Sequence, residues 1–182
     1  AISLTIDNQV SSGGSNAPGL LAQTIGGGGG SVDSVAGNFS AGRSGLLPNT
    51  GDTSAGNLDL TINSNARLFS LGAASPAMIA QTIGGGGGFA ASTTGTVQLG
   101  AGGSGTTNAD ASAGDIVWTN SARGTQTVVT DDDIITSTIS GIATSGDFSP
   151  AVVLQSIGGG GGYTTGGTSV SFSAAGHAGS ST

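Results

Sequence analysis

The sequence predicts an all-β fold, a right-handed parallel β-helix or β-solenoid with no helices of note. Three observations predict it. Gly supplies 37 of the 182 residues, about three times its average share. Glu and Lys, strong surface helix formers, are absent, while the weak formers Gly, Ser, Thr and Asn dominate. One phrase is written three times: "LLAQTIGGGGGSV" at 20–32, "MIAQTIGGGGGFA" at 78–90 and "VVLQSIGGGGGYT" at 152–164. A recurring phrase of this kind marks a repeat architecture.

The repeat can be read position by position. Its motif comprises Gln23, Ile25 and Gly26 to Gly30, then Gln81, Ile83 and Gly84 to Gly88, then Gln155, Ile157 and Gly158 to Gly162. The glutamines are 58 and 74 residues apart. Each phrase follows a small residue and a proline: Ala17-Pro18, Ser75-Pro76 and Ser149-Pro150. Each leads to a small-residue corner, at Gly42-Arg43-Ser44-Gly45, Gly102-Gly103-Ser104-Gly105 and Gly176-His177-Ala178-Gly179. "SAGNLDLTIN" from Ser54 matches "SAGDIVWTN" from Ser112. The longer interval holds about 16 extra residues, expected around "TQTVVTDDDIITST". The chain therefore reads as one array, 1–182, of units 1–53, 54–111 and 112–182. "AISLTIDN" continues the pattern, with Ile2 on Leu58, Leu4 on Leu60, Thr5 on Thr61 and Ile6 on Ile62. The expectation is a window cut in mid-repeat from a longer array.

Strands are expected where β-branched and apolar residues alternate between Gly, Asn, Asp and Ser corners. The expected core positions are Leu58, Leu60 and Ile62, then Met78, Ile79, Thr82 and Ile83, then Val97 and Leu99. A 58-residue unit divides into three coils of about 19 residues. Nine or ten coils at the spacing of neighbouring strands would make a rod of roughly 45 Å. Gly-rich β-sandwich repeats are the alternative fold. In coils of that length the glycine runs recur every three or four turns, so they should align along one face without touching. A run lacking side chains suits a positive-φ corner or a close backbone approach. Extended polyproline II-like packing and a flexible hinge are the other readings. Ile25, Ile83 and Ile157, which precede the runs as core-like residues, argue for order.

With these motifs laid out, the chain resembles the glycine-rich repeats of very large secreted or surface proteins of Gram-negative bacteria. Autotransporter-like adhesin passenger regions carry phrases similar to "AQTIGGGGG" and "LQSIGGGGG". The resemblance implies a β-helical stalk outside the cell or on its surface. It marks a repeat type and carries no catalytic residue.

Composition excludes several classes. A net charge of −7 with three basic residues, all Arg, argues against nucleic acid as a partner. No apolar run approaches the length of a membrane-spanning helix. Without cysteine there is neither disulfide nor zinc–thiolate chemistry. His177, the one histidine, aligns with Arg43 and Gly103, so the array does not need it for a catalytic triad. No lysine follows the glycines, as a phosphate loop requires. An enzyme and a cofactor are therefore not expected. Asp131, Asp132 and Asp133 are weak calcium candidates, since neighbouring side chains on a strand point to opposite faces. Trp118 reads as partial core, and no row of aromatics suggests a sugar platform. Threonines in "STTGT" and "TSTIS" offer hydroxyls, but no threonine rank is evident in register across the units. Two functions remain. One is a structural segment of an extracellular fibre, stalk or biofilm matrix, whose partner is itself, end to end or laterally. The other is an adhesive module for glycan, ice or another surface.

Overall fold

A computed structural model of the chain describes residues 1–32, 36–41, 54–91, 94–100, 113–120, 141–158, 161–165 and 169–173. These form strands and their connections, with no helix among them. A first layer holds β1 (Ile2–Ile6), β2 (Gln9–Ser12), β3 (Leu20–Ile25), β4 (Gly29–Val32) and β5 (Phe39–Ala41). A second holds β6 (Leu58–Ile62), β7 (Arg67–Ser70), β8 (Met78–Ile83), β9 (Gly87–Ala90) and β10 (Thr96–Gly100). A third holds β11 (Ile116–Asn120), β12 (Gly141–Thr144), β13 (Val152–Ile157), β14 (Gly161–Thr164) and β15 (Ser169–Ser173).

The layers stack through five parallel sheets, β1-β6-β11, β2-β7-β12, β3-β8-β13, β4-β9-β14 and β5-β10-β15. Every described pairing is parallel, as in a β-solenoid, whereas a sandwich of hairpins pairs its strands antiparallel. The registers follow the repeat: Ile2 lies beside Leu58, and Leu58 beside Ile116. Gln23 lies beside Gln81, and Gln81 beside Gln155.

This spacing corrects the expected coil of about 19 residues. Paired strands are a whole repeat apart, 58 residues between Gln23 and Gln81 and 74 between Gln81 and Gln155. No described pair is about 19 apart, and the described strands make three layers rather than nine or ten coils. At the usual inter-strand distance the three layers rise about 10 Å, not 45 Å. The register lengthens between Asn120 and Gly141, where β11 still pairs 58 residues back and β12 pairs 74 back.

Cross-sectional packing explains why so long a turn is stable. Leu58, Leu60 and Ile62 of β6, with Ala66 and Leu68, pack against Met78 and Ala80 of β8. The opposite face of β8 turns Ile79 towards Phe89 and Ala91. On the far side of β9, Ala90 packs against Val97 and Leu99 of β10. The chain thus folds back within each layer, leaving β8 and β9 covered on both faces, and all ten of their residues are buried. A parallel strand buried on both faces reads as a continuous apolar run, which is how "MIAQTI" is written. Burying each large aliphatic side chain is worth about 1.5–3 kcal/mol. Every expected core position in β6, β8 and β10 is buried.

Candidate functional site

The repeated phrase builds the most specific polar structure of the fold. Gln81 is fully buried on β8. Its neighbours Gln23 and Gln155 occupy the same position one layer away on either side. Gln23 Nε2 donates to Gln81 Oε1 (2.6 Å), and Gln81 Nε2 donates to Gln155 Oε1 (2.5 Å). The series ends with Gln155 Nε2 donating to the Gly162 carbonyl oxygen on β14 (3.3 Å). A buried amide without partners would cost several kcal/mol on transfer from water, so identical side chains in register satisfy one another.

That last bond shows that the glutamines face the glycine strand, and the glycines have their own reason to be there. Gly87 and Gly88 carry φ of 135° and 137°, a region L side chains rarely adopt. A Cβ on Gly88 would point along the stack into the carbonyl oxygen of Gly30, and one on Gly87 into that of Gly161. Gly162 meets the Gly88 carbonyl in the same way. Two consecutive residues therefore aim their missing side chains at opposite neighbouring layers. The expectation that the runs align without touching is corrected: Gly29 pairs with Gly87, and Gly87 with Gly161. They touch because the paired strands are one repeat apart. The earlier glycines turn the corner, with Gly27 and Gly85 at φ of 74° and 75°.

A second ladder lies at the serine–proline corner, whose role was not evident in the sequence although its residues were. Asn16, Ala74 and Phe148 share positive φ of 59°, 53° and 55° at equivalent positions. The next residue carries the bonds. Ser75 Oγ accepts from the Ala17 amide (3.0 Å) and donates to the Gly14 carbonyl (2.8 Å), while the Ser75 amide donates to Ser149 Oγ (2.9 Å). Thr82 Oγ1 donates to the Gly114 carbonyl (2.5 Å), fixing β8 to the segment that enters β11. Thr24 makes the equivalent bond to Gly56. In the glycine strands, Phe89 and Tyr163 stack at 6.0 Å with their planes 9° apart, above Ser31. Partial burial raises the Tyr163 phenol above its ordinary pKa by desolvation.

The motif residues Gln23, Ile25, Gly30, Gln81, Ile83, Gly88, Gln155, Ile157 and Gly162 thus come together in two adjoining sheets. Gly26 and Gly84 donate their amides to Ile83 and Ile157, and Gly158 follows β13 in the third layer. The calcium candidates Asp131, Asp132 and Asp133 lie outside the described residues, as does His177. Among the described residues no group of three or more His, Cys, Asp or Glu could hold a metal ion. No described helix is long and apolar enough to cross a membrane. Trp118 packs against the β6–β8 core, and its buried Nε1 has no partner among the described residues. One threonine rank does exist: Thr5, Thr61 and Thr119 occupy one register position in the three layers. It sits inside the strand phrases rather than in the hydroxyl-rich stretches, and it corrects the expectation that no threonine rank lies in register across the units. Comparison with known proteins found no matching family model, no matching curated protein and no matching solved structure.

Proposed function

We propose that this chain is a non-catalytic structural segment of an extracellular fibre, stalk or biofilm matrix, part of a right-handed β-solenoid that turns once per repeat. The observation that carries the reading is the glutamine ladder, Gln23 to Gln81 to Gln155. Buried polar side chains here bond to their own equivalents in the next layer, so their chemistry is spent on stacking. The same holds for the paired glycines and for Ser75. Such bonds make each layer a template for the next, a property suited to a long, stiff element. The resemblance to repeats of Gram-negative surface proteins supports a location on the cell surface or beyond it.

Immunogold electron microscopy on a bacterium producing the whole protein tests this reading. Label along surface fibres or in the matrix is the expected result, and label confined to the cell interior overturns it. Adhesion is the second reading, favoured by the threonine rank Thr5, Thr61 and Thr119. Ice-affinity partitioning and a glycan array separate the two, because a purely structural segment is retained by neither.

A further inference from the structure

We infer that the outward side of β7 and β12 pairs laterally with the same side of a second copy, about a two-fold axis running along the stack. The inference rests on the structural reading above and adds the partner, the face and the charges that set the pairing.

Alternate residues of β7 and the turn after it face outward: Arg67, Phe69, Leu71 and Ala73, between the buried Leu68, Ser70 and Gly72. Layers lie on both sides of this row, yet Leu71 remains 55% exposed. The opening is therefore lateral, and another repeat stacked on either end of the array would leave it uncovered. Only Ser11 and Ala143 stand in register with Phe69, so the middle row forms an apolar ridge. Phe148 extends it. This residue is 92% exposed and holds a φ of 55°, uncommon for so bulky a side chain, and no described core cluster includes it.

Charge selects the occupant. Arg67 stands at one end of the ridge, beside Gly141 of the third layer. Asp147 stands at the other end, seated beside Ala73 by the bond from the Ala74 amide to its carbonyl (2.8 Å). Asp147 is exposed and Arg67 half-buried, and neither side chain has an ion-pair partner among the described residues. Six positions separate Gly141 from Asp147, a span of up to about 20 Å, so the two charges do not meet within one chain. A two-fold axis along the stack runs two such rows antiparallel and keeps their layers level. It sets Arg67 of each copy against Asp147 of the other, and Phe69 against Leu71. The two charges lie one layer apart, about 4.8 Å, which an arginine side chain spans. Phe148 then lies beside the same guanidinium, where an aromatic face adds attraction. The alternative two-fold, along the strands, opposes Arg67 to Arg67 and is disfavoured. The contact is self-complementary and closes as a pair. It covers roughly 300 Å² per copy, against about 800 Å² per partner in a stable complex, so the pair is weak and reversible.

Sedimentation equilibrium over a wide concentration range tests this, and the unmodified chain should show a reversible monomer–dimer equilibrium. Arg67→Glu and Asp147→Arg should each weaken pairing about tenfold, since each opposes like charges at both ends of the contact. The two changes move the net charge of −7 in opposite directions, so general repulsion alone would make them act oppositely. An equimolar mixture of the R67E and D147R chains should pair again, because both ion pairs then re-form with their signs matched. Leu71→Ser and Phe148→Ser should weaken pairing while leaving the urea midpoint in place, as both side chains are exposed. A D147R chain that pairs more strongly, or a mixture that stays monomeric, would overturn the proposal. So would flotation of the monomer with phosphatidylcholine vesicles that is lost in L71S and F148S, which would assign the ridge to a lipid surface. An unmodified chain that stays monomeric at all concentrations, with its β circular dichroism and cooperative urea transition intact, also overturns it and leaves the structural reading standing. Loss of the β signal in the unmodified chain overturns both.

Discussion

Gln81 Nε2 lies 2.5 Å from Gln155 Oε1 although 74 residues of chain separate them, and Gln81 Oε1 is held in turn by Gln23 from the layer on the other side. One fully buried side chain thus ties three repeats into register. A hydrogen bond of this kind contributes about 1 kcal/mol net, but leaving its partners unpaired in the interior costs about 1–3 kcal/mol each. The ladder's main effect is therefore on register. A slipped strand would bury amides against aliphatic neighbours.

Replacing the middle glutamine alone should accordingly be worse than replacing all three. Gln81→Leu strands Gln23 Nε2 and Gln155 Oε1, and should lower unfolding free energy by about 2–4 kcal/mol. The triple variant Q23L/Q81L/Q155L strands no glutamine amide, removing only the long 3.3 Å bond to the Gly162 carbonyl, and should recover at least half of that loss. Urea unfolding of both chains checks the sign of the coupling, which a simple loss of packing would not produce.

Three glycines separate backbone strain from contact between layers. Gly13 has no positive φ and open space around its missing Cβ, so Gly13→Ala should be neutral or stabilising by up to about 1 kcal/mol. Gly30 has a φ of 145° with space around it, and Gly30→Ala should cost the conformational strain alone, about 1–3 kcal/mol. Gly88 has a similar φ of 137°, but its Cβ would meet the Gly30 carbonyl. Gly88→Ala should lose several kcal/mol or fail to fold. The order Gly13, Gly30, Gly88 in urea midpoints is the outcome to measure.

The serine–proline corner makes a separate prediction. Ser75 is buried and its hydroxyl serves the Ala17 amide and the Gly14 carbonyl. Ser75→Ala should destabilise by about 0.5–1.5 kcal/mol, because it removes the hydroxyl's bonds to the amide of the half-buried Ala17 and the carbonyl of Gly14. Amide exchange at Ala17 should accelerate in the same variant, which places the loss at the corner.

Tyr163 is the chain's one tyrosine, so its ionisation can be followed by absorbance. Desolvation raises its folded-state pKa, so folding favours the neutral phenol. The associated stability is fully present below the unfolded pKa and is lost as pH rises through the folded one. The tyrosinate midpoint should lie higher in the native chain than in the urea-unfolded chain.

Much of this arrangement was legible in the repeats. Aligning "AISLTIDN" with "NLDLTIN" placed Ile2, Leu4, Thr5 and Ile6 on the residues they pair with. The three phrases carried the register of β3, β8 and β13 in the same way. The turn length was misread because a period says how far apart equivalent residues are, not how often the chain passes the same point between them. Dividing 58 by three assumed a hollow coil with one buried face per strand. The apolar runs "LLAQTI" and "MIAQTI" pointed elsewhere, since a strand apolar at consecutive positions has two faces to bury. Sheets such as β3-β8-β13 and β4-β9-β14 fill the interior of the turn and allow it to be long. The glycine contacts followed from that correction, for Gly88 can meet Gly30 only if one turn is one repeat. The Ser75 ladder depends on hydrogen bonds between backbone and side chain 58 and 74 residues apart, which no local pattern announces.

The most direct test is a nuclear Overhauser measurement on the side-chain amides of a chain isotopically labelled at glutamine. The account predicts that the Gln81 amide protons lie close to the side chains of both Gln23 and Gln155 and exchange slowly with water. Contacts from Gln81 to residues about 19 positions away, or a rapidly exchanging Gln81 amide, would contradict the stacking of one repeat on the next.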